Sequence, residues 1–372
     1  MQLQRDQPRF GVADVVREHG AAFLAAHGRW LTHAQVKALA DIERCRTAAL
    51  GGHVEVYACG HEVIAYNSCR NRSCPKCLRH KAREWVEKKE RDLLPVPYFH
   101  VVFTLPHELT QVPVLARAAL YEALFRASAA TLREVGRRRL GGELGFLSVL
   151  HTWGQTLTHH PHVHCVVAGG ALSEDRRSFH VSKARFLLPV SVLSLVFKAK
   201  MLDELRRLPL PGVEPAELAL LIDDAARKKW VVYAKPPFGG PAQVLRYLAR
   251  YTHKIAISDR RIVDVNEKTV FFTYKDYRHG NEAKVMRLHG NEWLRRFTTH
   301  VLPRGFVRLR GFGFLANAKK AEKLEGIRAL LGAPAPAKPL VEHERPACTC
   351  PVCGCGALVE RRALGPITRD TS

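Results

Sequence analysis

The run Cys69-Arg70-Asn71-Arg72-Ser73-Cys74-Pro75-Lys76-Cys77 constrains this chain most, because it sets three sulfurs within nine residues. A Cys-X-X-Cys knuckle with a further cysteine upstream has the ligand spacing of structural zinc, and a metal held that way organises a small module around itself. Cys45 and Cys59 precede the knuckle, and His53, His61 and His80 lie among and after them. These donors suffice for two tetrahedral sites. From Cys45 to His80 the chain is short turns rich in Gly, Asn and Cys, the composition of a metal-stapled module. The basic side chains interleaved with the sulfurs, Arg70, Arg72 and Lys76, are suited to touch phosphate.

Four further cysteines, Cys348, Cys350, Cys353 and Cys355, fall within eight residues near the other end. A zinc ribbon needs two separated knuckles and only one is visible there, so this segment is either a compact metal site or a disordered tail. Cys165 stands apart in an apolar run and reads as a buried free thiol. Met1-Gln2-Leu3-Gln4-Arg5-Asp6 has no apolar signal core, so a cytoplasmic location is expected and thiolate–metal bonds are favoured over disulfides.

Length and charge narrow the class. The 372 residues allow two or three domains, and a hydrophobic content of 47% supports real cores. A net charge of +23 and a pI near 9.9 call for a polyanionic partner, with nucleic acid the first candidate. No stretch approaches the roughly 18 to 20 apolar residues of a membrane span.

Apolar spacing at Val12, Val15, Val16, Phe23 and Leu24 predicts a helical lead-in. Strands are expected at Phe99–Leu105, Phe146–Trp153, His162–Ala168 and Trp230–Ala234, with a hairpin of 262–265 and 270–274 around Asn266-Glu267-Lys268. Helices are expected over 114–135, within 190–226, and from about Ala242. Strands separated by long helices and by hairpins imply an α+β fold, an antiparallel sheet flanked by helices. The expected domains are a helical and zinc-binding part at 1–94, a catalytic part at 95–330, and a Pro-rich linker with a Cys-rich tail at 331–372.

His162 and His164 stand two apart on an expected strand, hence on one face, where both imidazoles can chelate one cation while Val163 and Cys165 pack behind them. Tyr247 and Tyr251 are four apart on an expected helix, so both phenols reach a common point. Each pair alone has a plainer reading, as a chance His-X-His and an amphipathic packing pair. Together in a basic chain they point to covalent chemistry on DNA.

These segments resemble the two-tyrosine HUH rolling-circle transposases of bacterial insertion sequences, the IS91 family. The resemblance is carried by Tyr66 to Cys77, by Val102-Phe103-Thr104-Leu105-Pro106, by His162-Val163-His164, by Tyr247 to Ser258, and by Leu302 to Gly313. It departs from the family where Val56 replaces the first cysteine of a knuckle that would precede Cys59, and where Gly311-Phe312-Gly313 replaces the commoner His-Tyr-Gly. The resemblance implies an HUH endonuclease-like sheet with the histidines on a central strand. It implies Mg²⁺ or Mn²⁺ at His162 and His164, structural Zn²⁺ in the N-terminal module, and a 5′-phosphotyrosine intermediate at Tyr247 or Tyr251. Related replication initiators often carry Gln or Glu shortly before the histidine pair, which makes Gln155 the expected third ligand, with His159, His160 and His253 as alternatives. Lys254 is placed to hold the phosphate or lower the phenol pKa of Tyr251, and Arg246 and Arg250 to bind DNA. The partner implied is single-stranded or locally melted DNA, stacked on aromatics drawn from Phe271, Phe272, Tyr274 and Tyr277. A plasmid or phage replication initiator would use the same chemistry, and a zinc-finger regulator without catalysis is the reading from a different class.

Overall fold

The computed structural model describes residues 8–77, 89–237, 243, 256–277, 279–334, 349–354 and 356–367. In chain order the helices are α1 (Val12–His27), α2 (His33–Arg44), α3 (Arg117–Leu140), α4 (Val190–Arg207), α5 (Pro215–Arg227), α6 (Gly290–Thr298) and α7 (Lys320–Leu330). The strands are β1 (Gly52–Tyr57), β2 (Glu62–Tyr66), β3 (Tyr98–Thr104), β4 (Glu143–Trp153), β5 (His159–Leu172), β6 (Phe179–Val181), β7 (Val231–Lys235), β8 (Ile262–Val265), β9 (Thr269–Asp276), β10 (Glu282–His289), β11 (Leu309–Phe312) and β12 (Leu358–Leu364). The fold is mixed helix and antiparallel sheet, as expected. No helix among the described residues is long and apolar enough to cross a membrane.

Two compact units cut across the linear division expected from composition. One gathers residues 1–80, 257–301 and 337–372, and the other 81–256 and 302–336. The reason is pairing between parts of the chain far apart in sequence. The tail expected to stand alone supplies β12, which pairs antiparallel with β1 from Gly52↔Leu364 to Tyr57↔Leu358. Residues 257–301, expected to belong to the catalytic part, form the β8–β9–β10 meander and α6 of the first unit.

In the first unit, α2 is opened by a reciprocal cap. Gln35 N donates to Thr32 Oγ1 at 3.4 Å and Thr32 N to Gln35 Oε1 at 2.8 Å. The start of α1 is fixed by Val12 N donating to Asp259 Oδ1 at 2.9 Å. The expected Asn266 turn is present, its side-chain oxygen accepting from Lys268 N and Thr269 N at 3.2 and 3.0 Å.

The second unit is built on the sheet β11-β4-β5-β3-β7, with β6 paired to β5 as its sixth strand. All its pairings are antiparallel. Alternation along the strands divides the side chains between two cores. Phe99, Val101, Phe103, Val163, Cys165 and Val167 enter the larger core, which also holds residues of α3, α4 and α5. Tyr98, Val149, Val166 and Ala168 enter a smaller core with Leu324 and Ile327 of α7. Cys165 is a buried free thiol 3.2 Å from Ser148 Oγ.

Candidate metal centres

The histidines stand on the α7 side of the central strand β5. His162 pairs directly with His151 of β4, and His164 with Val149 one step along the ladder. Directly opposed residues of an antiparallel pair share a face, so His151 joins the pair two residues apart on β5. One nitrogen from each of His151, His162 and His164 lies within 4.8 Å of the others. The ring centroids are 5.3 Å apart for His151 and His162, 4.2 Å for His151 and His164, and 4.8 Å for His162 and His164. Behind them Val163 and Cys165 are fully buried, as the alternation required.

A hydrogen bond fixes which nitrogen of His162 carries the proton. His162 Nδ1 is 2.6 Å from the His160 carbonyl oxygen, which only accepts, so Nδ1 carries the hydrogen and Nε2 the lone pair. His164 Nδ1 is 2.7 Å from Nε2 of His100 on β3, and the two rings stack 3° from parallel. Burial pushes His162 and His100 down to about 4 and His164 well below the usual imidazole range. All three are neutral at pH 7, the form in which imidazole ligates metal. His151, His162 and His164 each bring one ring nitrogen within 4.8 Å of the others, a spacing that fits a divalent cation.

His159, an alternative ligand from the sequence, is otherwise engaged. Its Nδ1 donates to the Thr110 carbonyl at 2.8 Å, and its Nε2 accepts from Tyr121 Oη at 2.7 Å. Gln155 sits half-buried in the turn between β4 and β5. That turn is held by Gly154 N donating to Thr158 O at 3.0 Å and contains the fully buried Leu157 at a φ of 61°. His151 and His100 were not singled out from the sequence. Tyr247, Tyr251, Lys254, Arg246, Arg250 and His253 lie outside the described residues.

The second centre joins Cys45, at the end of α2, to the knuckle. The four sulfurs of Cys45, Cys69, Cys74 and Cys77 lie within 4.8 Å of one another. Cys45 to Cys77, Cys69 to Cys77 and Cys45 to Cys74 are each 3.6 Å. A zinc ion about 2.3 Å from each sulfur of a tetrahedron sets the edges near ~3.8 Å, so the sulfurs fit the ion. Backbone N–H groups of Cys69, Asn71 and Cys77 donate to the sulfurs of Cys45, Cys69 and Cys74. Asparagines set the loop: Asn71 Nδ2 donates to Asp41 at 2.7 Å, its Oδ1 accepts from Ser73 N at 2.8 Å, and Asn67 O accepts from Arg46 N at 3.0 Å. Arg70 and Arg72 are exposed beside this centre and Lys76 is half-buried.

No histidine belongs to this foursome. His53 lies on β1 with Nε2 3.2 Å from Glu55 Oε1, His61 lies at the β1–β2 turn, and His80 is outside the described residues. Cys59 lies with Cys350 and Cys353, the three sulfurs again within 4.8 Å.

Residues 145–323 match the family model described as "Putative transposase", and residues 15–105 the model described as "Transposase zinc-binding domain". A protein of Sinorhizobium fredii (strain NBRC 101917 / NGR234) named "Putative transposase y4qJ" is 46% identical over 344 residues, covering 88% of this chain and 85% of the relative. The transposase for insertion sequence element IS801 of Pseudomonas savastanoi pv. phaseolicola is 31% identical over 294 residues, covering 76% and 70%. Two solved structures of the conjugative relaxase TrwC with oriT DNA are also similar. The metal-free one has a TM-score of 0.24 at 13% identity and covers 41% of this chain and 71% of its own. The metal-bound one has a TM-score of 0.26 at 12% identity and covers 60% and 95%. The histidine centre falls within the first matched segment and the four-cysteine centre within the second, and the chain belongs to the IS91 family of insertion-sequence transposases.

Proposed function

We propose that this transposase nicks and rejoins single-stranded DNA at the ends of its element through 5′-phosphotyrosine intermediates, in rolling-circle transposition. The observation that carries the reading is the convergence of His151, His162 and His164 on one face of the β4–β5 pair. In this reading His151, rather than Gln155, completes the ligand set, and His100 holds His164 in its ligating tautomer. Mg²⁺ or Mn²⁺ is the cation proposed, and when bound it supplies Lewis-acid polarisation of the scissile phosphate. A phenol with a pKa near ~10 is a weak nucleophile at neutral pH and needs that help. The phenol of Tyr247 or Tyr251 gives up its proton as its oxygen bonds to phosphorus, the bond to the 3′ oxygen breaks, and that oxygen takes up a proton and leaves as a 3′-hydroxyl. The new linkage is a phosphodiester, so rejoining needs no ATP. Two tyrosines allow two successive transfers without release of the first covalent end. Lys254, Arg246 and Arg250 are proposed to hold phosphate beside them.

The test is incubation of the purified protein with labelled single strands from its element's ends and Mg²⁺ or Mn²⁺, followed by a denaturing gel and peptide mapping. A metal-dependent adduct at Tyr247 or Tyr251, lost in the Tyr247→Phe/Tyr251→Phe double variant, is the expected result. DNA binding with no adduct under either metal would instead favour a noncatalytic regulator.

A further inference from the structure

The tail cysteines have a partner that the sequence did not reveal. Cys350-Pro351-Val352-Cys353-Gly354 is a second Cys-X-X-Cys knuckle, and Gly354 closes it at a φ of 71° with its N–H donating to the Cys350 carbonyl at 2.8 Å. Facing it is the turn of the β1–β2 hairpin, where Gly60 has a φ of 78° and the His61 N–H donates to the Cys59 sulfur. The two turns share the local design of paired zinc knuckles, an N–H or a left-handed glycine beside each sulfur-bearing bend.

The backbone holds these turns together independently of the sulfurs. Ala58 N donates to the Ala357 carbonyl at 2.8 Å between the two turns, while Cys350 N, donating to the Gly356 carbonyl at 2.7 Å, closes the tail's own turn. A Cβ on Gly356 would lie 2.9 Å from Cys59 Sγ and 3.1 Å from Cys59 N, so only glycine admits this approach. From Gly356 the chain runs directly into β12 beside β1. Two knuckles at one end of a three-stranded sheet make the ribbon that the tail's sequence could not complete by itself.

We propose that Cys59, Cys350 and Cys353 hold a second structural zinc ion, which fastens the C-terminal strand to the N-terminal module. The four-cysteine centre already takes Cys45, Cys69, Cys74 and Cys77, so these three sulfurs have no claim on that ion. Cys59 is the single sulfur of the β1–β2 hairpin. The tail knuckle supplies the thiolates the hairpin lacks. Tetrahedral zinc takes four ligands, and these three sulfurs supply three of them. The assignment is independent of the phosphotyrosine chemistry.

The experiment is zinc release from the purified full-length chain by a mercurial reagent, which frees thiolate-bound metal, after a brief chelator wash to clear the histidine centre. The wild type is expected to release two equivalents and the Cys350→Ser/Cys353→Ser variant one. Release of one equivalent from the wild type, or of two from the variant, would overturn the assignment. So would a disulfide between Cys59 and a tail cysteine in non-reducing peptide maps. Should the variant fail to fold, cobalt-loaded wild type decides the question, because a second site doubles the thiolate-to-cobalt charge-transfer absorbance expected of one.

Discussion

His164 meets His100 through Nδ1 at 2.7 Å, so the tautomer of a candidate ligand depends on a residue from another strand. His100→Ala is expected to weaken Mn²⁺ binding by about 10- to 100-fold, while His151→Ala abolishes it. Calorimetric titration of both variants checks the order, and equal losses would make His100 a ligand rather than a support. His159 offers a pH test, since burial holds it at about 4 in the fold against roughly 6.5 in the unfolded chain. Above pH ~6.5 the ring is neutral in both states. Between ~6.5 and ~4 only the unfolded chain takes up the proton, so stability falls with falling pH by about 3 kcal/mol and levels off below. Urea melts should show that loss in the wild type to be greater by that amount than in His159→Gln; parallel curves would refute the neutral-histidine reading. His162 and His164 were legible because a period of two is visible within one strand. His151 and His100 were not, because each reaches the site through the register of a different strand, which local spacing does not encode.

Among the elements, the end of β11 shows what the Gly311-Phe312-Gly313 motif does. Gly313 has a φ of 60°, and a Cβ there would lie 1.6 Å from the Leu144 carbonyl oxygen on β4. The close approach seats Phe314, whose ring also leaves no room for a side chain at Gly145. Gly313→Ala is therefore expected to destabilise by about 2 to 5 kcal/mol, combining left-handed strain with overlap. Gly305 is the control, with a φ of 79° and nothing within 4 Å of a built Cβ; its alanine variant should cost only about 1 to 2 kcal/mol. Denaturant midpoints of the two variants measure the difference, and equal values would mean that β4 and β11 part easily. The sequence marked the motif without its reason, since a steric demand between β4 and β11 is written in neither strand alone. By contrast β3, β4, β5 and β7 were readable from β-branched and aromatic runs, whereas β10 and β12, half-exposed and charged, carried no such signal.

For the whole molecule, a linear reading of the chain does not show where it returns on itself. A Pro-rich stretch followed by cysteines reads as a linker and tail, yet β12 completes a sheet begun about three hundred residues earlier. Charge, which does not depend on topology, was legible at once: +23 over 372 residues. If that charge engages DNA through phosphate, the logarithm of affinity for a single strand falls linearly with the logarithm of salt, by about 0.7 for each phosphate contacted. Arg70 and Arg72 are exposed beside the four-cysteine centre, one on either side of Asn71, which anchors the loop to Asp41. Arg70→Gln/Arg72→Gln should then lower the salt slope by about 1.4, two contacts at 0.7 each, and weaken binding of unrelated sequences alike. Fluorescence anisotropy across a salt titration reads the slope, and mercurial release confirms that the nearby zinc is retained. A variant with the wild-type slope and full zinc would show that the module's arginines face away from the DNA, leaving phosphate contact to the other basic residues of the chain.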